Sequence, residues 1–317
     1  FTNYGTVDGT GTGALTIATG TYINAGGSIT NVNVVGNLQN QAVLNYDEDA
    51  FLNGSLTNTA TGDVTVSAAL DMNNNNVTNR GDFLVTTDAD SAGNLHDVRT
   101  LVNEAEFEIT TGGTVSANLV ENRNGGNMEA AGTLNSATQV NNTGATMAIS
   151  GLVNADGGLV NRSSTTQTGQ ITMAGGTLDG VVTNYANLGG NGTVTGVITN
   201  YGNVAPTGTL QVAGLINHEV VDIAASSVLR STAYLQNHDR LNVAGRLEAG
   251  LSNHASTTLA GGTIAGAVTN QRSGSLTGTG TITGTLLNGG TAANSGQGHG
   301  EVTGTGTLTT SGTLNVA

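Results

Sequence analysis

The sequence predicts an all-β fold, a parallel β-solenoid of about sixteen short coils, and three observations carry that reading. A phrase of the form aliphatic-x-Asn recurs with a mean spacing of 19 residues. A second phrase, Gly-Thr/Ser-aliphatic, recurs between its copies, and no stretch shows an apolar period of about 3.6. The composition points the same way: 317 residues hold 49 Gly, one Pro, no Cys, no Trp, 3% aromatic and 9% charged residues. That much Gly opposes helix. A hydrophobic share of 37%, carried by small and β-branched side chains, suits a thin core repeated many times better than one wide core.

The first phrase reads LTN at Asn58, VTN at Asn79, LVN at Asn103, VTN at Asn184 and ITN at Asn200. It continues as LIN at Asn217, LQN at Asn237, LSN at Asn253, VTN at Asn270 and LLN at Asn288. Weaker copies place Asn3, Asn24, Asn40, Asn122, Asn141 and Asn161 in the same series, with gaps of 16 to 24 residues. Asn141 is the poorest copy, because Gln139 stands where an aliphatic belongs. The second phrase supplies short alternating strands such as GTLQVAG and GTITGTL, punctuated by Gly and Asn. Two or three strands per coil, with turns of variable length, absorb the uneven gaps. Coils ~4.8 Å apart would stack into a rod of roughly 75 Å. The reading is of one solenoid domain over residues 1–317. The opening FTNYGTV is already a repeat phrase, which predicts a segment of a longer protein or a subunit that stacks end to end into a fibre.

The Asn column has a physical task. A buried carboxamide carries both donors and acceptors. Stacked amides can therefore bond along the axis, as they do in cross-β ladders, and Asn tolerates the left-handed backbone of a sharp corner. The series is predicted to be a structural ladder.

If the Asn residues align, so do their neighbours. The residue after each Asn gives Arg80, Glu104 and Arg123 on consecutive coils, which predicts cross-coil ion pairs. Further along it gives Tyr185, Tyr201, His218, His238 and His254, a candidate stack of flat side chains. The alternative for His218, His238 and His254 is a weak metal site or pH switch, which needs two or more nitrogens ~2 Å from one ion.

Fifteen of the 22 carboxylates fall between Asp8 and Glu129. Glu104, Glu106 and Glu108 alternate with Ala105, Phe107 and Ile109, so they are expected on an outer face. Asp88 and Asp90, with Gly93, match positions 1, 3 and 6 of a calcium loop. Ala92 and Arg99 stand at positions 5 and 12, so only weak calcium binding is expected. Otherwise no cofactor is expected. Arg80-Gly81-Asp82 spells an integrin-binding tripeptide, but NRGDF aligns with NYGTV (3–7) and NYGNV (200–204). That alignment lays it along a rung, with Gly81 at a small position and Phe83 inward.

The formal net charge of −14, with eight Arg and no Lys, opposes nucleic-acid and anionic-membrane partners. No run reaches the ~18–20 apolar residues of a membrane helix, so no membrane insertion by this segment is expected. ITNYGNVAPTGTLQVAG (198–214) resembles the passenger repeats of bacterial autotransporters and related type V secreted proteins. LLNGGTAANSGQGHGEVTGTGTLTTSGTLNV (286–316) is a looser version. The resemblance implies a right-handed β-helix, extracellular at a bacterial cell surface and often adhesive. Its partners would be further copies joined end to end or other surface and matrix components.

The resulting expectation is a non-catalytic structural or adhesive stalk or filament. The alternative is a polysaccharide-binding or polysaccharide-degrading β-helix enzyme. Glycoside hydrolysis needs paired carboxylates, and few aromatics and basic residues are available for sugar stacking or uronate binding. No G-x-S-x-G elbow is present. Ice binding by the Thr of TGTGT and TITGT is disfavoured by the irregular coil lengths.

Overall fold

The computed structural model describes residues 1–9, 14–288, 301–303, 308–310 and 314–316, and side chains at 1–9 and 20–288. It is all-β, a parallel β-solenoid of about 15 turns, with no helix among the described residues. The backbone divides into two compact units, Phe1–Ile171 with Gly176–Asp179, and Thr172–Gly175 with Gly180–Ala317. Most of the repeat phrase after Asn288 lies outside the described residues.

In the first unit, each coil contributes three short runs of strand. One begins after the Asn corner, as in Asp82–Val85, and the next two are joined across a bend, as in Asn94–Asn103. The named strand pairs join equivalents one coil away and are parallel, in register except where bulges interrupt the longer strands. Phe83 lies opposite Val64 on one side and Phe107 on the other. Leu101 lies between Val77 and Val120. Period-two alternation then sends every second side chain inward. Val64, Phe83, Phe107, Met128 and Met147 form one such inward column, and each is buried. Within it the Phe83 and Phe107 rings stack at 4.8 Å with planes 17° apart.

The second unit repeats the plan. Asn187–Asn200 and Asn203–Asn217 pair with Leu188 opposite Val204 and Ile198 opposite Leu215. Leu210, Leu229, Leu247, Ile264 and Ile282 make a continuous inward column, all at 0% exposure. Length differences are taken up partly by bulges inside the longer strands, as between Thr16 and Thr21, and partly in turns. The long step from Asn79 to Asn103 holds a turn closed by an antiparallel bridge between Thr87 and Ala92. Residues 163–169 form another, with the Ser164 N–H bonded to the Gln167 carbonyl at 2.8 Å.

At one point the structure corrects the sequence reading. The ladder residue of its coil is Asn142, not Asn141. Asn142 is 0% exposed and lies opposite Asn122, while Asn141 lies opposite Glu121 and is half-buried. Val140, opposite Val120, is the inward aliphatic. VNN (140–142) thus obeys the aliphatic-x-Asn phrase, and with two adjacent Asn the alternation decides which one turns in. The residue that follows the ladder Asn on this coil is Thr143.

These adjacent residues give a sharp test. Asn142→Ala removes a buried acceptor and donor set, so it is expected to destabilise its coil by about 1–3 kcal/mol. Asn141→Ala should stay within about 0.5 kcal/mol. Native-state hydrogen exchange of the flanking strands measures both.

Candidate functional site

The candidate residues fall into columns, and the innermost is the Asn ladder. In the first unit, the side-chain Nδ2 of each Asn donates to Oδ1 of the next. The distances are 3.1 Å for Asn3 to Asn24 and 2.8 Å for Asn24 to Asn40. They are 2.9 Å for Asn40 to Asn58, Asn58 to Asn79, Asn79 to Asn103, Asn103 to Asn122 and Asn122 to Asn142. Asn142 donates to Asn161 at 2.8 Å. In the second unit the steps Asn184, Asn200, Asn217, Asn237, Asn253, Asn270 and Asn288 are each 2.8 Å. Every amide in a unit points the same way along the stack.

Most of the carboxamides also close their own corner. Asn200 Oδ1 accepts from the Gly202 N–H at 3.2 Å, and Nδ2 donates to the Gly202 carbonyl at 2.9 Å and to Val220 O of the next coil at 2.9 Å. This geometry suits the Gly found two places after Asn3, Asn79 and Asn200. At Gly81 an added Cβ would sit 2.3 Å from the carbonyl oxygens of both Gly62 and Thr59.

The position following the ladder Asn carries the outer column. In the first unit it is ionic over three consecutive coils. Glu104 Oε2 lies 2.7 Å from Arg80 Nε, and Oε1 lies 3.0 Å from Arg123 Nε. Asn124 Nδ2 donates to Oε1 at 2.9 Å, and Arg123 Nη1 also reaches Glu121 at 3.1 Å. Burial would raise the Glu104 pKa, but the bonds from Arg80, Asn124 and Arg123 and the Arg80 charge outweigh it, holding the carboxyl below its usual range. The predicted Arg-Glu-Arg column is therefore present. A second clamp escaped the sequence reading, with Arg230 Nη2 and Arg246 Nε at 2.6 and 2.7 Å from Glu248. Its signal was there, since Arg230 and Glu248 occupy the same place in successive coils.

In the second unit the same position holds rings. Tyr185 and Tyr201 stack at 5.1 Å, Tyr201 and His218 at 4.8 Å, His218 and His238 at 5.0 Å, and His238 and His254 at 4.6 Å. Interplanar angles run from 8° to 17°. These separations match the ~4.8 Å strand spacing, so the backbone sets the stack. The His254 ring is fixed by Ser252 Oγ, 3.1 Å from Nε2, and Gln271 Nε2 donates to the same hydroxyl at 3.1 Å. Facing imidazoles present their edges outward in parallel, and His218, His238 and His254 do not converge as a metal-binding group of three.

Asp88 and Asp90 are exposed in the turn bridged by Thr87 and Ala92. The Asp88 N–H donates to Ser91 O at 2.8 Å, and Asp88 Oδ1 accepts from the Ala89 N–H at 2.6 Å. They too belong to no converging group of three. Among the described residues, such a group forms from Asp71, His96 and Asp97. The sequence reading missed it because it tracked columns beside the Asn corner, not the next one.

The tripeptide at Arg80 lies along a coil. The Arg80 N–H donates to Asn58 O at 2.9 Å, Asp82 N–H to Gly62 O at 3.1 Å, and Gly81 is buried. Asp82 stacks between Asp63 and Glu106, and Glu108 lies beside Glu129, making an acidic outer face. Elsewhere in the first unit an open groove of about 800 Å³ is lined by Asn74, Asp97, Asn118, Asn135, Asn154 and Asp156, among others.

Fold and columns together define a parallel β-solenoid in which the singled-out residues bond chiefly to their counterparts on neighbouring coils. No protein-family model, curated protein or solved structure matches the chain.

Two predictions follow from these columns. Burial, and then repulsion from His254 and His218, lowers the His238 pKa below its ordinary value. The unfolded chain therefore takes up this proton first, and the stack loses stability as pH falls below about 6.5. His NMR should show His238 titrating below the ordinary value and His254→Gln moving it upward; an unmoved midpoint contradicts the stack. For the tripeptide, Arg80→Ala is expected to leave integrin-dependent cell attachment unchanged, since Arg80 is engaged with Glu104.

Proposed function

We propose that this chain is a non-catalytic, extracellular structural and adhesive segment of a bacterial surface protein or filament. The observation that carries the reading is the direction of its bonding. The Asn ladder, the Arg80–Glu104–Arg123 clamp, the Arg230–Glu248 pair and the ring stack all run from coil to coil, and each adds to the backbone ladder in the same direction. Such an arrangement stiffens a support and presents regular columns of charge and rings to a partner. It makes and breaks no bond. The acidic face built from Asp63, Asp82, Glu106, Glu108 and Glu129 favours partners bearing positive charge or surface-bound cations.

A second reading is favoured by one observation, the polar groove of the first unit. Its Asn and Asp side chains could bond sugar hydroxyls, as a polysaccharide-binding or polysaccharide-degrading solenoid would require. A viscosity screen over neutral and acidic polysaccharides separates the two. Unchanged viscosity with every polymer is expected, and a steady fall with any one of them would overturn the non-catalytic reading. In the same material, electron microscopy tests end-to-end association: fibres that lengthen with concentration are expected, and single particles at all concentrations exclude it.

A further inference from the structure

The geometry points to a divalent transition-metal site formed by Asp71, His96 and Asp97 on the first unit. The backbone brings the three together from two coils. Asp71 pairs in register with His96, so their side chains stand one above the other on the outer face. Just beyond them both coils turn. Asn73 and Asn74 take φ of 48° and 58° on one coil, and Asp97 takes 52° on the next. That left-handed turn places the Asp97 carboxylate beside His96. One ligand atom from each of the three lies within 4.8 Å of the others.

The spacing fits a shared ion better than a direct bond. His96 Nδ1 and Asp97 Oδ2 are 3.5 Å apart. That exceeds the ~2.7–3.2 Å of a hydrogen bond. Two ligand atoms each about 2.0–2.2 Å from one tetrahedral zinc ion lie about 3.3–3.6 Å apart. Asp71 is already oriented, because its Oδ1 accepts the Asn73 N–H at 2.7 Å. Holding one oxygen in this way leaves the other to face an ion, as outer-shell bonds do in metal sites.

The two carboxylates also lack an Arg partner among the described residues. Glu104 and Glu248 are each clamped by two Arg. Neither Asp71 nor Asp97 has an Arg ion pair among the described residues, and Arg99, two residues on, directs its Nε to Asn76 at 3.0 Å. Two carboxylates neutralise a divalent ion, and the imidazole selects zinc, cobalt, nickel or copper over calcium and magnesium. Asp97 also lines the polar groove, so the ion would sit at its rim.

Calorimetric titration of the full chain with Zn²⁺, and absorption titration with Co²⁺, test the site. One saturable equivalent is expected, with visible Co²⁺ bands of four-coordinate geometry. His96→Gln, Asp71→Asn and Asp97→Asn should each weaken binding at least about tenfold. Asn at position 97 keeps the left-handed turn accessible, and circular dichroism checks that each variant folds. His238→Gln should leave the affinity unchanged. The proposal is overturned if binding never saturates, if His96→Gln binds as the parent does, or if Ca²⁺ displaces Co²⁺ at equal concentration.

Discussion

The fold depends on one constraint, that the corner of every coil must satisfy its polar groups without water. A parallel coil turning sharply leaves backbone N–H and C=O groups facing inward, where an unpaired group costs about 1–3 kcal/mol. One carboxamide at the corner answers most of that demand. It accepts from and donates to its own turn, donates to the next coil's backbone, and joins the next carboxamide. Aligned amides polarise one another, so a ladder is stronger than isolated pairs. Around that point the coils at Asn79, Asn103 and Asn200 place an aliphatic two residues before, a small residue two after, and an inward apolar residue two further on.

A fixed corner turns sequence repeats into spatial columns. The position after the Asn has two solutions in this chain. In the first unit opposite charges alternate over three coils, so Glu104 meets an Arg above and an Arg below instead of a like charge. In the second unit flat rings lie one above the other at the spacing the backbone dictates, within the ~4.5–7 Å range of favourable ring contact. Neither solution needs a ligand. The Asp71–His96–Asp97 group differs, because among the described residues neither of its carboxylates is clamped by an Arg.

The functional reading follows from that contrast. Residues that bond to or stack on their counterparts above and below are held in place by them, which suits stiffness and display. A surface of that kind can be adhesive through repetition, each column offering the same group at regular intervals. The groove and the cation site lie on another corner of the coil, where the chain departs from the repeat. Departures from a repeat are where a repetitive scaffold has room for a specific ligand.

The ladder was legible in the sequence because its cause is local and recurrent. Asn58, Asn79, Asn103, Asn184 and most of the others follow an aliphatic by two, and the period alone aligns them. From that alignment came the Glu104 clamp, the Tyr185-to-His254 stack and the placement of Arg80-Gly81-Asp82 along a rung. The period left Asn141 and Asn142 ambiguous, because choosing between adjacent Asn requires knowing which faces inward. It also concealed the Arg230–Glu248–Arg246 clamp and the meeting of Asp71, His96 and Asp97. Those groups lie away from the Asn corner, where turn lengths vary and counting loses its register. The sequence by itself determined the fold class, the ladder and the columns beside it, since a repeated local pattern can be buried only by stacking on its own copies. Only the tertiary structure decided which carboxylates meet a histidine, because left-handed turns at Asn73, Asn74 and Asp97 redirect the chain by angles that no spacing encodes.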